Sequence, residues 1–514
     1  MTSSGIFKAM KDSIMLRNVF FCRTRFVFLF YLCLAFTVNF VSAQKATSLS
    51  AFPSVEPLFL YDDGGSFDDD DIIKAALEFS ECPLSSAQGQ AAFSRYVELR
   101  SMVTGISFME LGQSERAEKI LSLMYEKVIG SYKERQTRMN LLFEDGSYNC
   151  VSSSVLYLAL AKASGLDVRG QLTPNHAFCT LYVSDGSGGG KAKIDVETTN
   201  PYGFNPGVKR PLQEDASHGG KYTVVPKRNY SGRYEVDDRM FVSLVGGNVA
   251  SDYDKAENWQ MAVPMSAACL EFTRGEQASF YSNRTEFEKL CTNYVVSLQR
   301  EKQYGRVLEW LDLVLARWGA GNELKNTYEK SVSNYIIALC RTGSFSAAKE
   351  CLDQRREKIS MQAQVRFEQM IFDNEVQWHL DASSDDDAAI AYLQEVRSMD
   401  MAKSTRNAAK VRQRLEYHWL NKINAAQKEG DFLYAASIAD KGMECVPGSS
   451  VLLNAKKACF RNYDASYHNK FADLANKKRY EEALDVLNEG LSGNPESQVL
   501  KGDLKRLQGM MNKR

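Results

Sequence analysis

At 514 residues the chain exceeds what a single hydrophobic core serves, so at least two structural units are expected. A composition of 44% hydrophobic and 25% charged residues excludes wholesale disorder. With 63 Lys and Arg against 64 Asp and Glu, the net charge of -1 gives nucleic acid no general footing as a partner.

In chain order, Lys8, Lys11, Arg17, Arg23 and Arg25 precede an almost uninterrupted apolar run, FVFLFYLCLAFTVNFV, over residues 26–41. The run closes on Val41-Ser42-Ala43, a small-x-small cleavage pattern before Gln44. Residues 1–43 therefore read as a secretory signal peptide, with Met15 an alternative start, and the protein as exported to a periplasm or beyond. An uncleaved anchor helix is the competing reading, and only under it is a membrane involved. Leu32 before Cys33 is not the small residue that lipoprotein cleavage needs. Of the eleven cysteines, loss of Cys22 and Cys33 leaves nine, an odd number that implies at least one free thiol or an intermolecular bond in an oxidising compartment. The chain has no CxxC pair. His218, His379, His418 and His468 lack ligands at metal spacing, so no metal or other cofactor is expected.

Residues 44–71 read as a linker, whose acidic run at Asp68–Asp71 lacks EF-hand spacing and suits a helix start. Helical periodicity then governs residues 72–143, through Ile72, Ile73, Ala76 and Leu77, then Phe93, Tyr96, Leu99, and on to Ala117, Ile120, Leu121 and Met124. Between 146 and 235 short β-rich runs alternate with Gly- and Pro-rich connections. The glycine run at 186–191 lacks the Gly-Lys-Ser/Thr ending of a phosphate loop and reads as a hairpin connection. From 236 to 514 the pattern is helical again. Four motifs open on an aromatic residue, at Tyr304, Phe345, Phe432 and Tyr480, and resemble the second helices of tetratricopeptide hairpins. Their spacing departs from a strict 34-residue period. Four segments follow: 1–43 signal, 44–71 linker, 72–235 helical lead-in plus catalytic domain, 236–514 helical repeats.

The chemistry gathers at residues 146–166, GSYNCVSSSVLYLALAKASGL. Asn149 is a good N-cap, Gly165 a good stop, and the helix between them is apolar on nearly every side, so it belongs in a domain interior. Cys150 is its first residue, where the helix dipole and unpaired N–H groups favour thiolate and can hold an oxyanion. His176 opens the next strand and shares a face with Phe178 and Thr180, which leaves Cys179 on the core side. Asp195 and Glu197 share one face of the strand after the hairpin. Register decides between them: Asp195 is the expected partner of His176, and Glu197 the reserve. The roles are Cys150 as nucleophile, His176 as base and then acid, and Asp195 as the group that orients the ring.

The stretches YNCVSSSVLYLALAKASGL, LTPNHAFC and KIDVETTNPYGF together resemble bacterial transglutaminase-like domains of the papain-like cysteine protease superfamily. The resemblance spans roughly residues 141–245, and Ala177 stands where many members have Trp. It implies an α+β papain-like, transglutaminase-like core, a central helix packed on an antiparallel sheet, followed by an all-α helical-repeat solenoid. It further implies Cys150, His176 and Asp195 as catalytic residues, with Tyr148 and Asn149 on the oxyanion side. The expected function is hydrolysis of peptide or isopeptide amide bonds, with a protein partner on the helical repeats. Amide cross-linking is one alternative, and a catalytically silent binding scaffold is the other.

Overall fold

The computed structural model describes residues 52–184, 191–206, 208–209, 211–215 and 220–512. The signal segment, the glycine run at 186–190 and His218 lie outside the described residues. The chain forms two compact units. One runs through Glu301 and adds Glu309–Leu324; the other comprises Lys302–Leu308 and Lys325–Arg514.

In the first unit, helix α1 (Asp69–Phe79) opens on a capping box in which Asp68 and Asp71 each accept the other's backbone N–H. Its apolar stripe, Ile72, Ile73, Ala76 and Leu77, is fully buried. The acidic run is thus a helix start. The preceding segment lies along the helices: Leu58 N–H donates to the Pro264 carbonyl, and the Trp310 and Trp318 indoles donate to Pro53 and Val55. Helices α2 (Ala87–Val103), α3 (Ile106–Met109), α4 (Gln113–Lys127) and α5 (Met139–Asp145) follow. Strands β1 (Ser131–Tyr132) and β2 (Ser147–Tyr148) pair in parallel and bring residues 131–132 beside the chain that enters the cysteine helix.

That helix, α6 (Cys150–Ala163), is buried continuously from Val151 to Ala161. It touches α1, α2, α4 and strands β3 (Val168–Thr173) and β4 (His176–Ser184), as an all-round apolar helix must. With β5 (Lys191–Val196) and β6 (Tyr234–Val236) these strands form one antiparallel sheet in the order β5-β4-β3-β6. Helices α7 (Asp238–Lys255), α8 (Trp259–Phe272) and α9 (Gln277–Arg300) pack in succession, and α7 also packs on α1.

The expected α+β fold class, with a papain-like, transglutaminase-like core, is corrected here. Among the described residues 68% lie in helices and only 6% in strands, and the sheet has four strands, so the protein is predominantly helical. The reason is one of proportion: the β-rich runs between 146 and 235 supply only the short strands of one small sheet, while the helical patterns on either side of them account for most of the chain.

The second unit is helical throughout its described residues. Helix α10 (Tyr304–Trp318) and helix α11 (Asn322–Arg341) each straddle the boundary; α12 (Phe345–Asp353), α13 (Met361–Asp381), α14 (Asp386–Val396) and α15 (Thr405–Lys428) follow. The chain ends in α16 (Phe432–Cys445), α17 (Ser450–Asn476), α18 (Tyr480–Gly493) and α19 (Gln498–Met511). All four aromatic-led motifs begin helices, α10, α12, α16 and α18. From α12 onward each helix packs on the next, and α17 also meets α15 and α19.

Candidate active site

Cys150 is the first residue of α6 and partly exposed. Asn149 caps the helix: its side-chain oxygen accepts Val151 N–H and Ser152 N–H, each at 3.0 Å, which leaves the Cys150 N–H outside the cap. Its amide nitrogen donates to the Glu134 carbonyl at 3.2 Å, so Asn149 shapes the helix start. Tyr148 is fully buried. Its hydroxyl meets Tyr125 Oη at 3.0 Å and donates to the Lys221 carbonyl at 2.9 Å, turned away from the thiol into a tyrosine cluster. The Tyr148 hydroxyl is thus spent within that cluster, and Asn149 uses one of its two amide N–H groups on Glu134.

His176 opens β4 and is 7% exposed. Its Nε2 lies 2.6 Å from Glu197 Oε2, and the Cys150 side chain is a second hydrogen-bond partner of the ring. With Nε2 engaged, Nδ1 is the nitrogen left for the thiol. Burial, the largest influence, favours a neutral ring, but the hydrogen bonds to Cys150 and Glu197 and the Glu197 charge overcome it and push the His176 pKa up to about 10.

Glu197 is fully buried just past the end of β5. Besides His176, its Oε2 accepts the Tyr230 hydroxyl at 2.5 Å, and its Oε1 accepts Thr199 N–H at 3.0 Å and Thr199 Oγ1 at 2.8 Å. Burial pushes this carboxyl up most strongly, yet the donors and the imidazolium together hold it below the usual carboxylate range. Gly203 makes this geometry possible. It lies so close to the Glu197 carbonyl that a Cβ there would stand 1.9 Å from the oxygen, and it accepts the Glu197 N–H at 2.9 Å.

Asp195, the expected partner of His176, lies elsewhere. The β4–β5 ladder pairs Thr180 with Asp195, and the carboxylate accepts Thr180 Oγ1 at 2.8 Å and Arg233 at 2.5 Å. A register four residues from the expected one moves the aspartate down the strand, while the shared face is kept because four is even. That is why the reserve carboxylate, two positions on, reaches the histidine.

Several supporting groups gave no local sequence signal. Thr198 Oγ1 lies 2.8 Å from Ser153 Oγ and 2.7 Å from Ser154 Oγ, which fastens the Glu197 loop to the first turn of α6. Asn200 donates to the Gln213 and Thr223 carbonyls, and residues 197–200 are all fully buried. A polar Glu-Thr-Thr-Asn run directly after a strand was the only hint in the sequence. Tyr230, 33 residues beyond Glu197, had none. Cys179 is fully buried, its thiol pushed up by burial, and donates to the Ser154 carbonyl, as a core residue should. All nine described cysteines are unpaired. Among the described residues no group of His, Cys, Asp and Glu is arranged to hold a metal ion.

A buried imidazole between a thiol at a helix N-terminus and an ionised carboxylate can take the thiol's proton and return it to a leaving group. The chain matches no family model and no curated protein. Among solved structures it is similar to menin, from a crystal structure described as revealing the binding site for the Mixed Lineage Leukemia (MLL) protein. The two share 11% identity over 76% of this chain and 90% of that chain, with a TM-score of 0.30, a likeness too remote to bear on function.

Proposed function

We propose that the chain is an exported thiol enzyme that hydrolyses peptide or isopeptide amide bonds, with its helical second unit binding a protein partner or substrate. The observation that carries this reading is the linkage of one buried histidine to both Cys150 and Glu197. The order of cysteine, histidine and carboxylate shared with transglutaminase-like sequences supports the chemistry. With its proton already resting on His176, Cys150 Sγ attacks the carbonyl carbon, forming a C–S bond and an oxyanion near the N-terminus of α6. On collapse the C–N bond breaks and the imidazolium gives its proton to the departing amine. Water, deprotonated by His176, then attacks the thioester, releases the acid and restores the thiol. A lysine amine in place of water gives cross-linking instead. Glu197, and not Asp195, orients the ring and stabilises its cation.

The test is alkylation of Cys150 by iodoacetamide as a function of pH. At neutral pH Cys150 should be alkylated faster than an ordinary exposed thiol, and His176→Ala should abolish that advantage. Labelling no faster than that of an ordinary exposed thiol, and unchanged by His176→Ala, would replace the enzyme with the binding scaffold.

A further inference from the structure

Tyr230 ends the short 3-10 turn and lies over the sheet face that carries His176. Its hydroxyl reaches Glu197 Oε2, the same oxygen that His176 Nε2 contacts. Its ring meets the imidazole edge-on, with centroids 5.8 Å apart at 81°, and meets Phe178 in the same manner at 5.2 Å. Phe178 in turn stacks beside the imidazole at 6.0 Å with planes 16° apart. Three residues on, Arg233 is held by Asp195 and lies 5.5 Å from the Phe178 ring centroid, so the expected third member of the site anchors the segment that brings Tyr230 in.

Resting on the reading of Cys150, His176 and Glu197 as a reactive set, we infer that Tyr230 is a positioning residue whose hydroxyl shares Glu197 Oε2 with His176, fixing the carboxylate's aim and limiting its grip on the imidazolium proton. A carboxylate oxygen with two strong donors divides its charge between them; with one donor removed, the whole of its pull falls on the ring. In the reaction that pull has two sides. It favours the imidazolium when the thiol loses its proton, and it opposes the later release of that proton to the leaving amine. The groups acting on this network are Cys150 and Glu197 at the histidine, Thr199 and Tyr230 at the glutamate, and Asp195 at the tyrosine. Tyr125, Tyr132, Tyr148 and Cys179 also feel the Glu197 charge.

The chain has five histidines, so ¹³C-histidine labelling of the full-length protein resolves His176 by the signal lost in His176→Gln. Tyr230→Phe keeps both ring contacts and removes only the hydroxyl. It should raise the His176 titration midpoint by about half a pH unit, roughly threefold in proton affinity, and change the rate of Cys150 alkylation below neutral pH by a similar factor. In a Glu197→Gln background the same substitution should change neither, because its effect passes through the carboxylate. A folded Tyr230→Phe with the wild-type midpoint and alkylation profile overturns the inference, as does an equal shift in the Glu197→Gln background. If Tyr230→Phe does not fold, Arg233→Lys loosens the same segment without touching the pair, and should give part of the shift; no shift overturns the inference. An unreactive wild-type Cys150 overturns the enzymatic reading instead, and the histidine titration distinguishes the two failures.

Discussion

Glu197 is fully buried yet held ionised, a state that is costly unless the charge is paired and its lone pairs are occupied. Here four donors reach its two oxygens. Glu197→Gln should therefore lower the His176 pKa and slow Cys150 alkylation at neutral pH at least about tenfold, measured by iodoacetamide kinetics. Asp195→Asn should change the rate far less, only as much as it loosens the segment that Arg233 anchors, because that half-exposed pair is worth about 0–1 kcal/mol. The histidine also makes stability depend on pH. Its folded pKa of about 10 stands above the ordinary 6.5, so the stabilisation is complete below 6.5 and is lost as pH rises towards 10. Urea midpoints should fall across that window in the wild type and fall less in His176→Gln. The sequence made the residue types and the shared strand face legible. It left open which carboxylate meets the ring, since a hairpin register depends on the connection and on everything packed around it.

Among the elements, α6 was the most legible, because its cap, first-turn cysteine, apolar body and glycine stop all agree locally. Its tie to the Glu197 loop was not, since that tie joins side chains 44 and 45 residues apart through Thr198. Thr198→Val removes the hydroxyl that serves both serines at almost constant shape. It should destabilise the fold by about 1–3 kcal/mol in urea unfolding and loosen Glu197 as well, which alkylation rates would register. The contact of α7 with α1 and α8 is equally close. A Cβ added at Gly246 would stand 2.3 Å from the Phe79 ring and 2.7 Å from Cys269 Sγ. Gly246→Ala should then cost about 1–3 kcal/mol through overpacking, despite the better helix propensity of alanine.

Across the whole molecule, the two units rest on different kinds of order. The first gathers the site from residues far apart in sequence. The last helices of the second instead bury small cores between neighbours, such as Phe471, Ala483, Leu487, Leu500 and Leu507. Packing between sequence neighbours makes stability local. Leu487→Ala, at a fully buried position, should cost about 2–5 kcal/mol and expose the amides of α18 and α19 to hydrogen exchange, while α6 stays protected and Cys150 keeps its reactivity.

What the sequence determined by itself was whatever short-range physics can encode. Examples are the capping box at Asp68, the helix start at Cys150, the aromatic residues that open α10, α12, α16 and α18, and the common face of Asp195 and Glu197. Tertiary structure decided the predominantly helical class, the exchange of Asp195 for Glu197, the turning of Tyr148 into its cluster and the arrival of Tyr230. Each of these depends on a strand register or on a contact across dozens of residues. Alternation along a strand sets only which face a side chain occupies; the packing of the rest of the chain sets what it meets there.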